Sequence, residues 1–406
     1  MKYLACLLLT FSASWTLADT SSEAIQTLSR YRTDMGLSAV KHSDKLKQAA
    51  VGHSQYLAAL PDREILSKLA PDGTPEMHRQ RAGFPKFIGV NIGDRTKRFG
   101  YAFAAGEQVV FSDRGNTGAY AVEQLIATVY HRSGLLKPEW TELGAAVDTV
   151  NAVLVMGEGA ARGKVATHWM GVYPADQSTT ARVAFSHEIP DPAPDKPGQW
   201  LGLPVSIHAA TGQTIKTSKF ELLDEKGLRV VGRILEAKSD SRIAQSEVFF
   251  MPERPLQYAT RYSVEADISV GNTTKNMRWT FQTPPNPFAV LPTASTTELM
   301  PGVPQTIELQ GVQGNWDWQT QMNTIQGVTI ETKSLGAGKM QITFPAACGA
   351  DCAATVIIKH AGPHPSTEQR HFVMSKTWLA SRPAPAVVFP QQLVDAALSL
   401  RSARPH

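Results

Sequence analysis

The sequence predicts an α+β protein: a mixed helix-and-strand unit followed by two all-β sandwiches. Three observations carry this. Residues 19–176 hold amphipathic helical stripes. From residue 198 onward, short alternating runs divided by turn residues take over. Between them lies "SHEIPDPAPDKPG" (186–198), whose four prolines read as a stiff, extended join with few contacts crossing it. The expected divisions are a leader at 1–18, the mixed unit at 19–176 and a Pro-rich linker at 177–197. Sandwiches are expected at 198–284 and 286–375, and a mobile tail at 376–406. The mixed unit is expected to fold by itself.

Composition bounds the function. At 406 residues the chain exceeds one ordinary domain, and 42% hydrophobic with 19% charged residues describes a folded protein. The net charge of +4 is mild and no dense Lys/Arg cluster occurs, which argues against a nucleic-acid partner. The leader has Lys2, an uncharged apolar run and small residues ending at Ala18, the pattern of an export signal. Nothing downstream has eighteen consecutive apolar residues, so no integral membrane segment is expected once the leader is removed. The mature chain is therefore read as periplasmic or secreted. Removal of the leader takes Cys6 with it. In an oxidising compartment the isolated pair Cys348 and Cys352 is read as a disulfide, with two free thiols as the alternative.

In chain order, Ser43 suits an N-cap, and Leu46, Ala50, His53 and Leu57 then recur on one helical face. His53 lies on that inward stripe, either as a satisfied core residue or as the floor of a cleft. "GYAFAAGEQVVF" places Glu107 just before a run that reads as a strand. In "AVEQLIATVYHRSGLLKPEW" (121–140), Val122, Leu125, Ile126 and Val129 form the apolar stripe of a second helix. His131 is read as the end of that helix, on the opposite face with Gln124 and Thr128, and Gly134 as its stop. A small, polar second face suits the wall of a cleft. Farther on, Tyr262, Trp279 and Phe281 are read as core and corner packing of the first sandwich.

Residues 28–175 resemble the CAP superfamily (SCP domain), the group that includes cysteine-rich secretory and pathogenesis-related proteins. The matching positions are Arg32, Gly36, Leu37, Leu46, Ala49, Ala50, His53 and Ser54. They continue through Arg95, Gly100, Tyr101, Gly106 and Glu107 to His131, Arg132, Leu135, Leu136, Pro138 and Gly144. The segment 252–283 is similar to bacterial immunoglobulin-like modules. The resemblance implies an α-β-α sandwich with a surface cleft holding His53, Glu107 and His131. Thr128 stands where many members carry a second glutamate, and Gln108 replaces the Asn of the usual "GEN". These departures weaken a catalytic reading more than a binding one.

The expected function is an exported module that binds an envelope or extracellular ligand. His53, Glu107 and His131 form the candidate set for zinc or a similar divalent ion. The alternative is a metal-assisted hydrolase acting on peptide or cell-envelope material.

Overall fold

The computed structural model describes residues 20–285 apart from 112–115, 149 and 186–187, with short stretches, mostly strands, between 296 and 374. The leader, Cys348, Cys352 and the tail lie outside the described residues.

The mixed unit runs α1 (Thr20–Asp34), β1 (Lys41–His42), α2 (Asp44–Ala59), α3 (Ile92–Arg98), β2 (Ala105–Phe111), α4 (Gly118–Ile126), α5 (Tyr130–Leu135), β3 (Glu142–Val147) and β4 (Asn151–Gly157). Its strands form one sheet in the order β1-β3-β4-β2. Every residue of β4 is buried, because helices cover both faces of this strand. Val153 and Val155 face Leu46 and Ala50 of α2. Their neighbours Ala152, Leu154 and Met156 belong to the core built with α1 and α4.

The periodicity of α2 is obeyed in full, with Leu46, Ala50, His53 and Leu57 all 0% exposed. Ser43 takes the N-cap position, but its side chain makes no capping hydrogen bond. The start of α2 rests instead on β3, where a Cβ at Gly144 would lie 2.0 Å from the Lys47 amide nitrogen.

The second helix departs from the sequence reading. It breaks after Ile126, and a separate helix starts at Tyr130, so His131 begins a helix rather than ending one. The Thr128 hydroxyl donates to the Leu125 carbonyl at 2.8 Å and closes α4. Gly134 is not the stop but lies within α5, where a Cβ would come 2.1 Å from Gln108 Nε2.

The first sandwich comprises β5 (Met170–Tyr173), β6 (Ala184–Phe185), β7 (Leu201–Gly202), β8 (Val205–Ala209), β9 (Ile215–Leu223), β10 (Gly232–Glu236), β11 (Glu247–Pro252), β12 (Arg261–Val270) and β13 (Thr273–Gln282). Its sheets are ordered β10-β11-β8-β5 and β13-β12-β9. Between them pack Ile207, Val248, Phe250, Phe220, Val264, Trp279 and Phe281. Tyr262 is buried and its hydroxyl accepts from the Gln257 amide at 2.8 Å, the corner role read from the sequence.

β5 lies ahead of residue 176, yet it pairs antiparallel with β8. The Pro-rich join is likewise well connected, contrary to its proline content. Val129 packs with Phe185, Ala193, Leu201, Phe249 and Met251. Arg132 is 0% exposed and donates to the carbonyls of Ile126 at 2.7 Å and Pro204 at 2.6 Å. Its guanidinium lies 4.1 Å from the centre of the Tyr173 ring. Burying a cation costs heavily, so these partners make the contact between α5 and β8 specific.

Beyond residue 295, the strands β14 (Thr296–Leu299), β15 (Gln305–Glu308), β16 (Trp318–Thr324), β17 (Glu331–Gly336), β18 (Lys339–Thr343), β19 (Ala353–His360) and β20 (Ser366–Met374) form two further sheets. Their orders are β14-β20-β19-β16 and β15-β18-β17. The chain is thus a mixed α+β protein. Among the described residues, no helix is long and apolar enough to cross a membrane.

Candidate functional site

Glu107 lies within β2, two residues after its start at Ala105 rather than ahead of the strand, and strand alternation decides its company. Its neighbours Gly106 and Gln108 point to Trp140 and Gly134. Glu107 points the other way, into the layer of α2. There the Arg95 guanidinium, delivered by α3, places Nη2 2.8 Å from each carboxylate oxygen. The same guanidinium donates to the carbonyls of His78 and Val90. The capping box of Asn91 and Asp94 starts α3 and so fixes where Arg95 falls.

Two histidines meet this carboxylate. His78, in a tight turn at Glu76–His78, brings Nδ1 to 3.2 Å of Glu107 Oε1. His53 brings Nε2 to 3.5 Å of the same oxygen. His53 Nε2 lies 2.8 Å from the Met77 carbonyl, and Nδ1 lies 2.9 Å from Gln80 Nε2. A carbonyl only accepts, so His53 carries its proton on Nε2. The Gln80 amide is oriented by the Ile88 N–H, which donates to its oxygen at 2.7 Å. His53 Nδ1 is therefore an acceptor. A carboxylate also only accepts, so His78 carries its proton on Nδ1. The two imidazoles face one carboxylate in opposite tautomers.

Burial pushes the His53 imidazole down to about 4, although Glu107 pulls the other way. Burial alone would raise the Glu107 carboxyl. The neighbouring His53, Arg95 and His78 outweigh it and hold that group at about 2. At neutral pH the cluster is thus a carboxylate, a guanidinium and a neutral His53.

The set also clamps the loop that follows His78. The Gln80 side chain is held by His53, the Arg81 backbone N–H donates to the Tyr56 hydroxyl at 2.9 Å, and the Gln80 backbone N–H donates to the Val90 carbonyl. Phe84 stands on this loop, 36% exposed.

His131 has other company. Its Nδ1 is 2.8 Å from Glu188 Oε2 and 3.1 Å from the Thr128 hydroxyl. Glu188 also accepts from the Val129, Tyr130 and His131 amides, so one carboxylate from the Pro-rich join caps the start of α5. Gln124 is buried on α4, 8% exposed. The expected trio therefore divides. His53 and Glu107 come together with His78 and Arg95, whereas α5 touches the other face of β2 and His131 belongs to the seam with the sandwich.

Zinc does not fit what remains. Both His53 nitrogens are engaged, and Glu107 is occupied by Arg95 and His78. Among the described residues, no three His, Cys, Asp or Glu side chains are arranged to hold a metal ion.

A second polar cluster lies at the seam. The Ser206 hydroxyl is 2.9 Å from His208 Nε2, and His208 Nδ1 is 3.2 Å from Glu247 Oε1. That order suits a nucleophilic relay, but Ser206 is 0% exposed and accepts from Arg132 at 3.0 Å. The cluster is closed to substrate and satisfies buried polar groups.

Sequence reasoning missed His78, Gln80 and Glu188, and took Arg95 only as a matching position. His78 and Glu188 are single residues in irregular segments, where periodicity says nothing. For Arg95 a signal existed, since it shares a short helix with the capping pair Asn91 and Asp94.

No family model and no curated protein matches the chain. Among solved structures, 34% of the chain is similar to an extracellular protein containing an SCP domain from Bacillus anthracis, at 19% identity and a TM-score of 0.27. The match covers 40% of that protein. The N-terminal Ig1-2 module of the Drosophila receptor protein tyrosine phosphatase DLAR is similar over 51% of this chain and 98% of its own, at 10% identity and a TM-score of 0.16. The extracellular domain of protocadherin GammaB4 is similar over 67% of this chain and 51% of its own, at 8% identity and a TM-score of 0.17. Scores this low carry no argument about what the chain does.

Proposed function

We propose that this chain is an exported CAP-type module that binds at the cell envelope, rather than a metal-assisted hydrolase. The observation that carries this reading is the burial of Glu107 among its partners. Its two oxygens are taken by Arg95 and His78, and its neighbour His53 is 0% exposed with both ring nitrogens engaged. A general base must reach the proton it removes, and the side chains of His53 and Glu107, 0% and 2% exposed, are shut away from any substrate. What the cluster supplies is rigidity: it pins the loop of residues 79–90 beside an exposed histidine edge, as a binding surface requires. Export rests on the N-terminal leader, and the CAP assignment on the motif residues around His53, Glu107 and His131. Co-sedimentation of the purified mature chain with isolated bacterial cell walls tests the reading. Saturable binding is expected, and a chain that stays wholly in the supernatant would overturn it.

A further inference from the structure

His78 is the member of the Glu107 cluster that reaches solvent. Its side chain is 19% exposed, against 0% for His53 and Arg95 and 2% for Glu107. Nδ1 faces the carboxylate, so the edge that meets water carries Nε2, which has no hydrogen-bond partner among the described residues. A carboxylate that fixes the tautomer of one ring nitrogen leaves the other as an oriented acceptor.

We infer that His78, positioned by Glu107, is the group that meets the ligand, accepting at Nε2 a hydrogen bond from a hydroxyl of a carbohydrate. The inference rests on the binding reading above and names the chemistry of its ligand. The two guanidiniums next to His78 are spent, Arg79 on Asp72 at 2.6 Å and Arg81 on Glu76 at 3.0 Å, which leaves the exposed Lys86 as the loop's one further cation and favours a neutral ligand over a strongly anionic one. A metal ion needs more donors than one imidazole nitrogen. The loop that leaves His78 and returns at Val90 carries Phe84 and Pro85 exposed, with Phe87 half-buried. Exposed flat apolar groups on the same loop as a fixed acceptor suit a sugar ring, which offers an apolar face and hydroxyl donors together. Glu107 is thus a positioning residue that touches no ligand.

Long-range proton–nitrogen correlation spectra of the full mature chain test this directly. His78 is expected as the Nδ1–H tautomer and His53 as the Nε2–H tautomer, with the His78 preference lost in Glu107→Gln. Titration with soluble N-acetylglucosamine tetramer should shift His78 Nε2 and leave His53 unmoved. His78→Ala should weaken that binding about tenfold, the worth of one hydrogen bond, when measured well below a melting temperature that the lost bond to Glu107 lowers. An Nε2–H tautomer at His78, no response to the sugar, or equal affinity in His78→Ala would overturn the inference. If the chain sediments with cell walls and His78→Ala does so equally, the binding reading stands and His78 falls. If the tetramer shifts His78 but cell walls do not bind, His78 stands and the envelope reading falls.

Discussion

Arg95 holds both oxygens of Glu107 at 2.8 Å from a single nitrogen, in a place where the arginine is 0% exposed. A pair so buried is expensive to break, because the survivor keeps an uncompensated charge. Glu107→Ala should cost about 3–5 kcal/mol in denaturant unfolding. The double replacement Arg95→Met with Glu107→Leu should recover much of that loss. A single variant as stable as wild type would show that the pair does not hold α3 to β2.

The same cluster sets an acid limit. The folded-state value of His53 lies at about 4, below the ordinary 6.5, so the unfolded chain takes up a proton first as pH falls. Stability should therefore drop between about 6.5 and 4. Glu107 lies at about 2 against an ordinary 4.5, and its contribution should be lost between about 4.5 and 2. Urea midpoints across pH 7 to 3 should fall in wild type, and His53→Gln should flatten the upper part. A midpoint that rises on acidification would contradict the assignment.

At the seam, Glu188 matters more than His131. The carboxylate accepts from three backbone amides as well as from the imidazole. Glu188→Ala should cost about 1–3 kcal/mol by leaving buried donors unpaired, and His131→Ala less. Zinc titration of His131→Ala should match wild type, because His131 does not join His53 and Glu107. A heat of zinc binding present in wild type and absent in the variant would restore the expected trio.

These residues show what a sequence carries and what it hides. The α2 stripe was legible because Leu46, Ala50, His53 and Leu57 are spaced by the helix period itself, and all are buried. The sandwich strands were legible through their alternation, with Trp279 and Phe281 inside as expected. Two-residue partnerships were not. Glu188 reaches back 57 positions to His131, and Arg95 and His78 reach Glu107 over 12 and 29, distances on which local pattern is silent. The break at Thr128 was hidden for a related reason. Its apolar stripe continues through Val129, but that residue packs on the sandwich rather than on the core of α4.

The two units should fold together. A fragment of residues 19–180 keeps β5 without its partner β8 and leaves Arg132 without Pro204 and Ser206. It should give no cooperative melt, whereas a fragment ending at 285 should. A sharp transition in the shorter fragment would show that the seam is dispensable.

The central claim is that Glu107 is a scaffold carboxylate in a binding module. Its most direct test is the release of soluble fragments from purified cell walls and from a peptide library, with wild type and Glu107→Gln compared under conditions where both remain folded. The account predicts no release above the blank for either protein. Release by wild type that disappears in Glu107→Gln would contradict it.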